Sequence, residues 1–110
     1  LLLVRHAEAP PGNPDELREL SDNGRQQARS LGERLAAEDV AVILTSPLIR
    51  ARQTAEILSE ALGTEVEVDE RIAPGATPDG VREAVDGRGD TVLTVGHEPD
   101  CSYIAAVRIV

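Results

Sequence analysis

Apolar and polar positions alternate along this chain in blocks that read as strand, then helix, four times over. Leu1 to Val4 is a short apolar run that stops at Arg5-His6, and the turn formers Ala9-Pro10-Pro11-Gly12-Asn13-Pro14 follow, so a strand leads into a loop. Ser21 is placed to cap a helix whose apolar residues Ala28, Leu31, Leu35 and Ala36 recur at steps of three and four. Val40 to Leu44 is continuously apolar and rich in β-branched residues, the pattern of a strand covered on both faces. Thr45-Ser46-Pro47 then predicts a cap with proline at the first helical position. The helix predicted from Pro47 to Leu62 buries Leu48, Ala51, Ala55, Leu58 and Leu62, with Gly63 ending it. Glu65 to Val68 alternates with period two, as an edge strand does, and Ala73 to Gly80 reads as a loop. Val81, Ala84 and Val85 predict a short helix ended by Gly87, Thr91 to Val95 another buried strand, and Pro99 the start of a last helix through Ile104 and Val107.

Such alternation predicts an α/β domain, a three-layer sandwich with helices on both faces of a mostly parallel sheet. Parallel strands joined by right-handed crossovers bring the residues just past each strand to one edge, where open α/β sheets bind ligands. Arg5 and His6 follow the first strand, Arg50 lies one turn beyond the second, and Gly96-His97 follows the fourth. Both histidines of the chain belong to this set.

Composition sharpens the picture. The chain has 110 residues and 41% apolar content, which suits one domain, residues 1–110. Its apolar runs fall far short of the roughly 20 residues of a membrane-spanning helix. Twenty acidic residues against eleven basic ones give a net charge of -9, so the basic footprint of a nucleic-acid binder is missing. All basic residues are Arg, which excludes Schiff-base chemistry and a P-loop lysine. One Cys forms no internal disulfide, and two His with one Cys at wide spacing make a poor zinc site, so a reducing compartment and a metal-free site are expected. The chain opens without a charged leader and without Met, and a cytoplasmic location is the expectation. Two arginines and two histidines converging in an acidic chain would form a local positive pocket suited to a phosphoryl group. Each piece has a plainer reading on its own: Arg50 as a surface charge paired with Glu56, and Ser46-Pro47 as a cap only.

The strings Leu-Leu-Leu-Val-Arg5-His6-Ala7-Glu8, Leu44-Thr45-Ser46-Pro47-Leu48-Ile49-Arg50-Ala51-Arg52-Gln53-Thr54-Ala55 and Val95-Gly96-His97-Glu98-Pro99 together resemble the histidine phosphatase superfamily, also called phosphoglycerate mutase-like. Leu20-Ser21-Asp22-Asn23-Gly24-Arg25-Gln26-Gln27-Ala28 is similar to a helix-opening pattern of the same family. The short interval from Glu70 to Val81 leaves no room for the insertion that caps the pocket of mutases, so the compact, SixA-type phosphohistidine phosphatase branch is the nearer likeness. The resemblance implies that His6 is the nucleophile, with one ring nitrogen attacking phosphorus and the other N–H held by a backbone carbonyl. A phosphohistidine intermediate would form and water would open it. Arg5, Arg50 and a protonated His97 would hold the phosphoryl oxygens, and no metal or other cofactor would be needed. Opposite protonation states of the two histidines imply a bell-shaped pH dependence. Glu70 is similar in position to the proton donor of larger relatives, and it equally fits a surface partner of Arg71.

The implied substrate is a phosphorylated protein, phosphohistidine in particular, or a small phosphorylated metabolite. A catalytically silent module that recognises a phosphorylated partner is the alternative, and a mutase a third. The chain departs from the family pattern at Ala7, at Gly12 and at its C-terminus, where a further strand or strands are expected to be lacking; oligomeric state is left open. Cys101 is expected in the core. Arg18 either guards the pocket entrance or faces Asp15, and Asp86 to Asp90 is expected to be a tight turn.

Overall fold

A computed structural model describes residues 1–97 and 108–109. Five strands, β1 (Leu2–Arg5), β2 (Val42–Thr45), β3 (Val66–Val68), β4 (Val92–Gly96) and β5 (Arg108–Ile109), form one sheet in the order β3-β2-β4-β1-β5. Every pairing is parallel. Three helices are described: α1 (Asp22–Arg34), α2 (Ile49–Leu62) and α3 (Pro78–Val85), with single 3-10 turns at Asp15–Leu17 and Glu70–Ile72. The mostly parallel three-layer α/β architecture expected from the alternating blocks is the one observed.

The continuous apolar runs of β2 and β4 are explained by their two covered faces. Ile43, Leu93 and Val95 pack with Leu2, Val4, Leu31, Ala51, Ala55 and Leu58 on the α1 and α2 side. Their sequence neighbours Val42, Leu44 and Val92 pack with Ile72, Val81 and Ala84 on the α3 side. Period-two alternation thus survives as a choice between two cores rather than between core and water. Among the described residues β3 is an edge strand beside β2, as expected, but Val68, which the period-two alternation turned inward, is exposed.

Helix ends follow their local chemistry. Ser21 Oγ accepts from Gly24 N at 2.9 Å and caps α1, and Thr77 does the same for α3 from Gly80 N, with Pro78 in the first turn. Gly63 closes α2 in the left-handed region at φ 65°. Gly24 is required for another reason: a Cβ there would lie 2.1 Å from the Glu8 carbonyl oxygen, so α1 begins directly against the chain leaving β1.

Four details differ from the sequence reading. Helix α2 starts at Ile49 rather than Pro47, because Leu48 stays extended and its N–H donates to Ser46 Oγ at 3.2 Å. Ala36 is exposed because α1 has already ended. Helix α3 starts at Pro78, inside the segment Ala73 to Gly80 read as a loop, because Thr77 caps it there, and a 3-10 turn at Glu70–Ile72 precedes that segment, capped by Asp69, whose side chain accepts from Arg71 N. A fifth strand, β5, pairs with β1 through Leu2↔Arg108 and Leu3↔Ile109, where no further strand was expected. The predicted helix from Pro99 through Ile104 and Val107, and the core placement of Cys101, lie outside the described residues.

Candidate active site

The site grows out of the C-terminal ends of the three central strands. His6 N donates to Gly96 O at 3.0 Å, extending the β1–β4 ladder by one rung. Ser46 N donates to Val95 O at 3.0 Å and does the same for β2 and β4. Backbone hydrogen bonds therefore bring His6, Ser46 and His97 to one edge, and the two imidazole centroids stand 5.2 Å apart at an interplanar angle of 57°. His97 is buried, with Nε2 2.7 Å from Ser46 Oγ.

Arg50 reaches the same point from the first turn of α2. Its side chain is buried, and its Nε donates to His6 Nε2 at 3.3 Å. On the opposite side of the ring, His6 Nδ1 lies 2.7 Å from the Ala7 carbonyl oxygen. A carbonyl can only accept and an arginine Nε–H can only donate, so the ring carries its proton on Nδ1 and presents a lone pair at Nε2. Burial lowers the His6 pKa, the hydrogen bond to Ala7 works the other way, and the nearby charges of Arg50, Arg5 and Arg18 lower it further. The net direction is downward, which keeps the imidazole neutral at pH 7.

Thr54 locks this geometry. Its Oγ1 accepts from Ala7 N at 3.0 Å and donates to Arg50 O at 2.9 Å, tying the His6 loop to the turn that carries the guanidinium. Arg5 is exposed at the mouth and lines the cavity. That cavity, about 830 Å³, is bounded at this end by Arg5, His6, Arg50 and His97 and extends along α1 to Leu31 and Arg34. Among the described residues no group of three or more His, Cys, Asp or Glu side chains is placed to hold a metal ion, and no helix is long and apolar enough to cross a membrane.

The four residues named from the strand ends, Arg5, His6, Arg50 and His97, all line one cavity. Glu70 does not: it is exposed on the 3-10 turn, and the cavity wall is supplied instead by Pro74. The Arg71 guanidinium, the alternative partner for Glu70, is held by Asp69 through Nε at 3.0 Å and Nη2 at 2.8 Å. Arg50 is paired with Asp15 at 3.2 Å rather than with Glu56. Arg18 does both things suggested for it, lining the cavity and pairing with Asp15 at 2.9 Å. The sequence reading gave Thr54 no role and named Asp15 as a partner of Arg18 but not of Arg50. A threonine four residues after Arg50 was the available signal for the first, since such a hydroxyl can reach back to the carbonyl one turn earlier.

A neutral imidazole whose Nε2 meets the Arg50 guanidinium, with a second imidazole 5.2 Å away on the same cavity, defines a class: an α/β sandwich with paired histidines at its strand ends. Residues 1–73 match the model of the histidine phosphatase superfamily (branch 1), and the chain belongs to that superfamily. It is 42% identical over 77 residues to phosphoserine phosphatase 1 of Hydrogenobacter thermophilus, which covers 66% of this chain and 36% of that protein. It is 37% identical over 75 residues to the probable phosphoglycerate mutase GpmB of Serratia proteamaculans, covering 64% and 35% respectively. Among solved structures, the provisionally assigned phosphohistidine phosphatase SixA of Nakamurella multipartitia matches with a TM-score of 0.79 at 30% identity, over 90% of this chain and 59% of that one. The protein histidine phosphatase SixA complexed with tungstate shares the fold, with a TM-score of 0.82 at 24% identity over 96% of this chain and 74% of that one. The chain spans about a third of the length of the phosphatase and mutase relatives it matches.

Proposed function

We propose that this domain hydrolyses a phosphoryl group through a covalent phosphohistidine on His6. The observation that carries the reading is the His6 tautomer: Nδ1–H is committed to Ala7 O, and Nε2 faces Arg50 and the ring of His97. Nε2 attacks phosphorus in line, the N–P bond forms, and the P–O or P–N bond to the leaving group breaks with its electron pair leaving on that atom. Charge left on the His6 ring is met by the Ala7 carbonyl at Nδ1–H. Arg5 and Arg50 hold the nonbridging oxygens, with His97 facing them from β4. Water then attacks phosphorus, the N–P bond breaks with its electron pair returning to Nε2, and inorganic phosphate leaves carrying the water's oxygen and protons. Glu70, exposed and away from the cavity wall, is given no step.

The substrate class we favour is a phosphohistidine protein or a small phosphorylated metabolite. The likeness to the SixA structures and to a phosphoserine phosphatase supports it. An imidazole leaving group also needs less acid assistance than an alkoxide, which fits a cavity wall without Glu70. The single Cys fits a reducing, cytoplasmic setting. The test is rapid acid and base quenching of the protein during turnover of a phosphorylated substrate carrying labelled phosphorus. Label that is stable in base, labile in acid and lost in His6→Ala is expected. Phosphate affinity without label or turnover would instead identify a silent phosphate-binding module.

A further inference from the structure

The guanidinium that should grip a phosphoryl group already grips an anion. Arg50 Nη1 donates to the Asp15 backbone carbonyl at 2.9 Å, and Nη2 donates to Asp15 Oδ2 at 3.2 Å. With Nε on His6, every nitrogen of the Arg50 fork is engaged. A nonbridging phosphoryl oxygen approaching Nη2 meets a carboxylate already in place, and two anions on one donor repel. The two partners differ in freedom. The Arg50 side chain is 6% exposed and anchored in a helix, whereas that of Asp15 is 64% exposed on a single 3-10 turn. Desolvation works against the charge on Asp15, but Arg50 and Arg18 outweigh it and hold the carboxyl below its ordinary range. Asp15 also has a second hold, Arg18 Nε at 2.9 Å from Oδ1, and Arg18 is itself fixed by Nη1 bonds to Ala9 O and Pro10 O.

We propose that Asp15 is a displaceable anionic plug: a positioning residue that occupies the Arg50 fork, yields it to an incoming phosphoryl group, and stays tethered to Arg18 at the rim. The plug sets how tightly the site takes an oxyanion, because binding must break the Arg50 contact with the Asp15 carboxylate. This inference rests on the phosphoryl-binding reading above and deepens it.

The experiment is calorimetric titration of the protein with inorganic phosphate, alongside KM and kcat for an aryl phosphate. Asp15→Asn keeps an oxygen acceptor of the same size and removes the charge. It should tighten phosphate about tenfold and lower KM more than it changes kcat, because the incoming oxyanion no longer has to displace a charged partner from Arg50. Glu19→Gln is the control: it removes a carboxylate from the same segment, one that pairs with Gln53 and Arg25, and should leave phosphate affinity unchanged. Unchanged or weaker phosphate binding in Asp15→Asn overturns the plug while leaving the phosphoryl site standing. Equal tightening in both variants also overturns it, because the effect would then be overall charge. Failure of the unaltered protein and of Asp15→Asn alike to bind phosphate overturns the phosphoryl site and the plug together.

Discussion

The two walls of the cavity are built by different means. On the sheet wall, His6 and Ser46 are placed by backbone ladder bonds that continue β1, β2 and β4, above a core in which Val4, Ile43, Leu93 and Val95 are fully buried. On the loop wall, Asp15 and Arg18 are placed by side-chain ion pairs and by hydrogen bonds from Arg18 to loop carbonyls, and Leu17 between them is exposed. Groups that must hold a reacting atom in line sit where the backbone itself sets their position. Groups that meet the arriving ligand sit where a side chain can swing without unpacking a core.

That contrast can be broken from either side. The largest effect belongs to the sheet wall: His6→Asn should abolish the covalent label altogether, measured by quench and gel. Arg50→Ala should lower kcat/KM by about 10²–10³, the usual cost of removing a preorganised oxyanion donor, measured by steady-state kinetics. Leu58→Ala, on the core face of α2 and fully buried, should cost about 2–5 kcal/mol of stability in urea unfolding. Thr54→Val, which removes the tie between Ala7 and Arg50, should cost about 1–3 kcal/mol by the same measurement and lower kcat more than it raises KM.

The smallest effect is a pH dependence. The His6 pKa is lowered on folding, so between its folded value and the ordinary 6.5 the unfolded chain binds more protons than the native one. Stability should therefore be undiminished above 6.5 and decline as pH falls below it, and His6→Gln should flatten that slope in unfolding curves recorded across the interval. The acid limb of kcat/KM should likewise lie below 6.5, since the nucleophile stays neutral there.

The sheet wall was readable from the sequence and the loop wall was not, for the same physical reason. A strand's period and its end are local properties, and parallel topology turns those ends into neighbours, so Arg5, His6, Arg50 and His97 could be placed together from order alone. Arg50 and Asp15 are joined by loop geometry across 35 positions, and no periodicity encodes that. The plainer reading of Arg50 as a surface charge pointed instead to an acid of its own helix, Glu56, which is exposed six positions on. The placement of Glu70 was hidden in a similar way: Asp69-Glu70-Arg71 carries no period that says which side chain turns inward, and the wall went to Pro74 in the loop that follows. The start of α2 was misread by two residues because Ser46 serves both its helix entrance and His97.

The contact between Gly24 and Glu8 divides these two kinds of territory. Glu8 is pinned by its own carbonyl against Ser21 N and by its carboxylate against Ser21 and Asn23, so α1 fixes the chain up to that residue, and beyond it Ala9 and Pro10 are held by the Arg18 side chain. Mutations that lengthen, shorten or recharge the stretch from Pro10 to Glu19 would consequently leave the nucleophile where it is. Natural variation confined to that stretch would change what Asp15 and Arg18 present at the cavity rim, while His6 stays held by Gly96 O and Ala7 O.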